Sequence, residues 1–80
     1  MRLHIAGPGC ARCQNTEKVI RQAVEELQLE ATVEHVADYA EIARLGVRIT
    51  PAVLLDGQII LSGRVPSLPE AKTLITSNLS

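Results

Sequence analysis

The stretch HIAGPGCARCQNTEKVI, residues 4–20, places a short apolar run, a Gly-Pro-Gly break and a CxxC pair directly in front of a helical pattern. The pair consists of Cys10 and Cys13. A CxxC motif at such a position is compatible with a redox dithiol, with half of a larger metal site, or with the two ligands of a small metal carrier. The rest of the sequence has to separate these three functions.

A strand, a helix and a second strand are predicted around the cysteines. Residues 2–6 (RLHIA) form a short strand that ends at the Gly-Pro-Gly break, and residues 31–36 (ATVEHV) alternate well enough for another strand. Between them, helical spacing produces one apolar face, made of Val19, Ile20, Ala23, Val24 and Leu27. A strand-helix-strand unit crosses over in the right-handed sense, so the two strands are predicted to be parallel.

Two capped helices and a hairpin are predicted in the second half of the chain. Asp38 with Glu41, and Ser67 with Glu70, both have the spacing of a capping box. Between them, the apolar segments AVLL and QIIL are joined by Asp56-Gly57, the favoured two-residue hairpin turn. The final helix has one apolar stripe, made of Leu68, Ala71, Leu74, Ile75 and Leu79.

The predicted element order is therefore β-α-β-α-β-β-α, which is typical of an α/β fold. The hairpin continues the parallel pair in the antiparallel sense, which gives a four-stranded mixed sheet with helices on both faces. The 80 residues suit one domain, and we predict a single domain over residues 1–80.

Composition and charge exclude several classes of function. Lys and Arg number 8 against 9 Asp and Glu, and no basic block occurs, so we expect neither nucleic acid nor membrane as a partner. The opening MRLHIA lacks a charged leader, and no apolar run approaches the roughly 20 residues of a membrane span. We therefore expect a cytoplasmic protein, acting as a monomer. Two cysteines are too few for a four-thiolate metal site, and we expect no metal and no cofactor.

The position of the two thiols predicts that they differ chemically. A cysteine at the first turn of a helix faces unpaired N–H groups and the positive end of the helix dipole, which favour the thiolate of Cys10. Arg12 is a candidate for a further cation beside it. Cys13 follows one turn later on the same face, which favours a more shielded thiol that can close a disulfide with Cys10. Such an unequal pair suits thiol–disulfide exchange.

A second motif joins the first to make a more specific pattern. The segment GPGCARC is followed later in the chain by ITPAVLLDGQIILSGRVPS. In the second segment the dipeptide Thr50-Pro51 opens the hairpin. This combination resembles the thioredoxin fold in its smallest, glutaredoxin-sized form. More closely, it resembles the small bacterial and archaeal thioredoxin-like proteins called redox-active disulfide proteins, over nearly the whole chain.

The resemblance implies a role for each of five residues. Cys10 corresponds to the attacking cysteine and Cys13 to the resolving cysteine of a protein disulfide oxidoreductase. Pro51 corresponds to the family's cis-proline, and the backbone at Thr50 would pair with a bound substrate chain. Gly63 matches a glycine that keeps the substrate groove open. The implied partners are protein disulfides and an unidentified reductase.

The chain also departs from the thioredoxin pattern. Gly9 replaces the tryptophan before the first cysteine, and Ala11-Arg12 replaces the Gly-Pro between the two, so the resemblance predicts no reduction potential. His4 occupies the position of the aspartate that accepts the resolving thiol's proton, and we predict it as a candidate acceptor for Cys13 because imidazole titrates near neutral pH. His35 has less claim, because nothing in the sequence places it near the cysteines.

Two other functions stay open from the sequence. A ferredoxin-like chaperone domain for Cu(I) also places a CxxC between a strand and a helix, and two thiolates suit that ion. It requires the order β-α-β-β-α-β, whereas this chain ends in a capped helical pattern. A binding or sensory module could use the thioredoxin fold without turnover, because a fold alone does not define a function.

Overall fold

The computed structural model describes residues 1–9 and 11–78, and these form four strands and three helices in the predicted order. The strands are β1 (Arg2–Ala6), β2 (Thr32–Val36), β3 (Ala52–Leu55) and β4 (Gln58–Ser62). The helices are α1 (Ala11–Glu26), α2 (Tyr39–Arg44) and α3 (Leu68–Ser77). Two predicted positions, Cys10 at the start of the first helix and Leu79 in the stripe of the last, lie outside the described residues.

The strands form one mixed sheet in the order β2-β1-β3-β4. β1 runs parallel to β2 and antiparallel to β3, and β3 and β4 form the predicted hairpin. Asp56 and Gly57 turn the chain with φ values of 50° and 86°, the positive values that a tight hairpin turn requires at both positions. The prediction of an α/β fold with a four-stranded mixed sheet, the minimal thioredoxin fold, is confirmed.

Helices cover both faces of the sheet because β1 and β3 bury side chains on each side. The larger cluster lies between the sheet and helices α1 and α3, and contains Leu3, Ile5, Ile20, Ala23, Val24, Val53, Leu55, Leu61, Ala71 and Ile75. The smaller cluster lies under α2 and contains Ala6, Ile42, Val47, Ala52 and Leu54. Each fully buried aliphatic side chain contributes roughly 1.5–3 kcal/mol, so most of the hydrophobic stabilisation comes from the α1 and α3 side.

The two short helices begin at the predicted capping residues, and α2 ends before the predicted Gly46. The Asp38 side chain caps α2 by accepting from the N–H of Ala40 at 2.8 Å, one residue earlier than the capping box predicts. The Ser67 hydroxyl caps α3 by accepting from the N–H of Glu70 at 3.3 Å. α2 stops at Gly46, whose φ of 82° turns the chain away from the helix and towards the segment before β3.

The topology bears on one alternative function. A ferredoxin-like metal carrier ends on a strand, whereas the last element among the described residues here is the helix α3. The observed fold therefore does not favour the Cu(I) chaperone. Within residues 1–9 and 11–78, every helix is too short or too polar to cross a membrane.

Candidate functional site

The first turn of α1 carries the second cysteine of the CxxC motif. Cys13 is the third residue of the helix and is fully buried. The Arg12 carbonyl beside it accepts a hydrogen bond from the buried Thr16 hydroxyl at 2.9 Å, which closes the first turn internally. Cys10, the predicted attacking thiol, is outside the described part of the chain. The structure therefore places the predicted resolving thiol in a shielded position.

The Gly-Pro-Gly turn before the motif packs directly on Cys13. A methyl group built on Gly7 would overlap the Cys13 sulfur and would lie 3.1 Å from its Cβ. The Gly7 N–H donates to the carbonyl of Val36 at 2.9 Å, which fixes the turn to the end of β2. The Gln14 side chain donates back to the Gly9 carbonyl at 3.2 Å. Only glycine fits at position 7, because any side chain there would displace the thiol.

The segment before β3 meets this turn. The Thr50–Pro51 peptide bond is cis, and Pro51 is fully buried. The methyl position on Gly7 lies 3.8 Å from the Cβ of Thr50, so the two segments are neighbours. The Pro51 carbonyl accepts from the N–H of Gly63 at 2.9 Å. Gly7, Thr50, Pro51 and Gly63, which are far apart in sequence, thus lie in one connected region beside Cys13.

Arg12 ties the CxxC motif to the same region from the other side. Its guanidinium Nη2 donates to the Gly63 carbonyl at 3.1 Å. Gly63 has a φ of 85°, and a methyl group on it would lie 3.2 Å from Cγ2 of Ile49. Ile49 is 61% exposed, although it is a large aliphatic residue. The arrangement forms a surface around Gly63 with a cationic side chain on one side and an apolar one on the other.

A protein-family model described as a thioredoxin domain matches residues 1–76. The chain belongs to the thioredoxin family. A thioredoxin of Methanothermobacter thermautotrophicus is 37% identical over 76 residues, which cover 95% of this chain and 99% of that protein. A thioredoxin of Methanocaldococcus jannaschii is 39% identical over 77 residues, which cover 96% of this chain and 88% of that protein. These relatives support a function of the thiol–disulfide oxidoreductase type.

In this thioredoxin-family chain, His4 lies on the side of the sheet that α2 covers. Its Nε2 is 3.7 Å from Oε2 of Glu34 on the neighbouring strand β2. Its Nδ1 is buried and has no hydrogen-bond partner among the described residues. An open cleft of about 360 Å³ adjoins it, lined by His4, Glu34, His35, Val36, Ala37, Asp38, Glu41 and Leu45. No group of three or more His, Cys, Asp or Glu side chains in residues 1–9 and 11–78 is arranged to hold a metal ion.

His35 is the residue near the site that sequence reasoning missed. Its Nε2 donates to the Gly7 carbonyl at 3.0 Å, and its Nδ1 lies 3.5 Å from Oε1 of Glu17 on α1. A methyl group on Gly9 would lie 3.9 Å from its Cε1. His35 pairs with Ile5 in the parallel register of β1 and β2, which brings it to the end of β1 where the turn begins. That parallel pairing was the available signal.

One ion pair follows Gly63 directly. Arg64 Nη1 donates to Oε1 of Glu70 at 2.5 Å, and its Nη2 also contacts the second carboxylate oxygen. The hydrogen bond from Arg64 lowers the pKa of the Glu70 carboxyl below its ordinary value, and the same bond raises the pKa of the Arg64 guanidinium. Both groups therefore stay charged at neutral pH, and they join the loop after β4 to the first turn of α3.

Proposed function

We propose that this chain is a protein disulfide oxidoreductase in which Cys10 attacks and Cys13 resolves. The observation that carries the proposal is the complete burial of Cys13 in the first turn of α1, under a turn where only glycine fits. A thiol held there is protected from outside disulfides. The sulfur of Cys10, once it is in a mixed disulfide, is the one that this thiol can attack most easily. Membership of the thioredoxin family supports the same assignment.

The reaction consists of two exchange steps. The Cys10 thiolate attacks one sulfur of a substrate disulfide, which forms a mixed disulfide and releases the other substrate sulfur as a thiolate that takes up a proton. The Cys13 sulfur, after losing its proton, then attacks Cys10, which forms the Cys10–Cys13 disulfide and releases the second substrate thiol. Two electrons and two protons pass from the dithiol to the substrate. A reductase, as a dithiol or flavin donor, then supplies two electrons and two protons, which restore the Cys10–Cys13 dithiol.

The residues beside Cys13 would hold the substrate chain. In our proposal the backbone at Thr50 pairs with the substrate next to its cysteine, Pro51 forms the adjoining wall and Gly63 leaves room for the chain. The hydrogen bond between Gly63 and Pro51, at 2.9 Å, supports this because it joins two of the three elements into one surface. Residues 1–80 act as a single domain and as a monomer on protein disulfides in the cytoplasm, where thiols are kept reduced.

Two side chains are proposed to adjust the thiols. Arg12 lies within the motif and would favour the thiolate of Cys10 by its charge. His4 is proposed as the acceptor for the proton of Cys13 because imidazole titrates near neutral pH. Its Nδ1 is buried without a hydrogen-bond partner among the described residues. The side chain lies on the face of the sheet that α2 covers, whereas α1, which carries Cys13, packs on the other face, so a direct transfer needs a relay between them. His4→Ala should shift the pH dependence of the resolving step. An unchanged pH profile would remove His4 from the mechanism.

The test of the proposal is the alkylation rate of each cysteine in the reduced protein as a function of pH, read by mass spectrometry. We expect Cys10 to react well below the pH at which an ordinary thiol does, and Cys13 to react far more slowly. Cys13→Ser should then trap a stable mixed disulfide with a cystine-containing protein. Equal and slow alkylation of both thiols would contradict the proposal, and competition for Cu(I) against a chelator would then test the metal carrier.

A further inference from the structure

Each of the three chain segments that meet at Gly63 carries one arginine and no carboxylate. Arg12 lies in residues 7–13, Arg48 in residues 47–51 and Arg64 in residues 62–65. The whole chain has a net charge of −1, and because these three side chains contribute +3, the rest of the chain carries −4. We call Arg12, Arg48 and Arg64 the basic rim. Positive charge is thus concentrated around the candidate site of an otherwise acidic protein.

Most of this charge is not neutralised inside the protein. Arg12 donates to a neutral carbonyl, that of Gly63, and Arg48 is exposed. Neither has an ion-pair partner among residues 1–9 and 11–78, whereas Arg64 is paired with Glu70. Both arginines are therefore exposed without an ion pair among the described residues, Arg12 on Gly63 itself and Arg48 one residue before Ile49.

An apolar contact point lies within the basic rim. Ile49 is 61% exposed and follows Arg48 directly, and its Cγ2 is 3.2 Å from the methyl position on Gly63. The hydrogen bond from Arg12 to Gly63 holds the guanidinium over the same glycine. A large aliphatic side chain left exposed next to cationic residues is typical of an interaction surface, where an apolar centre has a polar rim.

We infer that the basic rim selects protein substrates whose disulfide is flanked by Asp or Glu. This inference rests on the proposed function and adds to it the chemical class of the substrate. Carboxylates on either side of the substrate cystine would face Arg12 and Arg48, and an apolar neighbour would cover Ile49. Complementary charge of this kind raises the rate of encounter and excludes partners of the wrong sign.

The experiment compares two cystine peptides of equal length, identical except that Glu flanks each cysteine in one and Lys in the other. For each peptide we measure the rate constant for its reduction by the reduced protein. This value is divided by the rate constant for reduction of the same peptide by a small uncharged dithiol. This division removes the effect of the flanking charges on the intrinsic reactivity of the disulfide. We expect the normalised rate to be about tenfold higher for the acidic peptide at low salt, and the difference to shrink to about twofold near 0.5 M salt.

Variants locate the effect on the surface. Arg12→Gln and Arg48→Gln should each lower the acidic-to-basic ratio, by about two- to fourfold. Arg2→Gln is the matched control, because Arg2 is an exposed arginine at the opposite end of β1, about 13 Å from Ala6 by the rise of a strand. The ratio is used because it cancels any change in thiol reactivity that Arg12→Gln causes.

The outcomes separate the two proposals. If neither peptide is reduced, the proposed function fails. If both are reduced with equal normalised rates, or if Arg2→Gln lowers the ratio as much as the rim variants do, the oxidoreductase stands and the basic rim has no part in substrate choice. A ratio near ten that falls with salt and in both rim variants supports the inference.

Discussion

The two ends of the central strand β1 are built in opposite ways. At the hairpin end, the Arg2 N–H donates to the Asp56 carboxylate at 2.8 Å, and the Asp56 N–H donates to the Arg2 carbonyl at 2.8 Å. A methyl group on Gly57 would have no described atom within 4 Å beyond those of its chain neighbours. At the site end, a methyl group on Gly7 would overlap the sulfur of Cys13. The glycine of the hairpin is needed for its backbone angle, and the glycine of the site is needed for space.

The difference follows from what each end of the strand has to contain. A hairpin turn has only to reverse the chain, so local hydrogen bonds and two positive φ values suffice. At Gly7 the buried thiol is covered by backbone, because a side chain there would overlap its sulfur. Substitutions at the two ends should therefore have very different effects, and the four predictions below run from the largest expected effect to the smallest.

Gly7→Ala should destabilise the protein by about 3 kcal/mol, because the added methyl group has no room against a fully buried side chain. Urea unfolding followed by circular dichroism measures the change. The same substitution in a Cys13→Ala background removes the overlapping sulfur, so its further cost should fall by at least about 1 kcal/mol. Equal costs in the two backgrounds would mean that the turn does not pack on Cys13.

Gly63→Ala and Gly57→Ala form a matched pair, because the two glycines have nearly the same φ, 85° and 86°. Gly57→Ala should cost about 1 kcal/mol for the backbone angle alone. Gly63→Ala should cost about 2 kcal/mol, because its methyl group also meets Cγ2 of Ile49 at 3.2 Å. Unfolding free energies of the two variants, and of Gly63→Ala with Ile49→Ala, separate the terms. If the two single variants matched, crowding at the site end would be absent.

Asp56→Ala tests the hairpin end by itself. The substitution removes the carboxylate that accepts from the Arg2 N–H and places alanine at a φ of 50°, so we expect a loss of about 1 kcal/mol. Asp56→Asn is the control, since asparagine keeps an acceptor oxygen and tolerates this backbone angle. Alkylation of the cysteines should be the same in both variants and in the unaltered protein. A changed alkylation rate would show that the two ends are coupled.

The ion pair at the site end should give a small pH effect. The hydrogen bond from Arg64 lowers the Glu70 pKa below the ordinary value of 4.5, so the folded state binds fewer protons than the unfolded state in this range. The stabilisation is present above pH 4.5 and is lost as the pH falls through the lowered value. Below pH 4.5, the free energy of unfolding should depend less on pH in Glu70→Gln than in the unaltered protein.

Glu25→Gln is the control for this pH effect. Glu25 is exposed on α1 and its carboxylate has no ion pair among the described residues. Glu26 keeps its own contribution in either variant, because the hydrogen bond from Lys72 lowers its pKa in the same direction. If Glu25→Gln reduced the pH dependence of the free energy of unfolding as much as Glu70→Gln does, the effect could not be assigned to Glu70.

The sequence by itself was sufficient for the elements and, to within one residue, for those predicted ends that the structure describes. The capping residues Asp38 and Ser67, the Asp56-Gly57 turn and the helical spacing all act within a few residues, so their chemistry can be read along the chain. The right-handed crossover and the short hairpin predicted that β1 and β2 are parallel and that β3 and β4 are antiparallel, whereas the pairing of β3 with β1 came only from the structure. β2 begins at Thr32, one residue later than predicted, which is within the usual uncertainty of element ends.

Only the tertiary structure decided which side chains meet around Cys13. His35 reaches the Gly7 carbonyl across 28 residues, and Arg12 reaches the Gly63 carbonyl across 51. Such contacts form only when the strands have paired, because strand pairing brings distant segments to one end of the sheet. Whether a methyl group fits at Gly7 depends on the packed volume beside it, and no local pattern encodes that volume. The sequence specified the CxxC motif and its helix, and the assembled sheet supplied the residues that surround the motif.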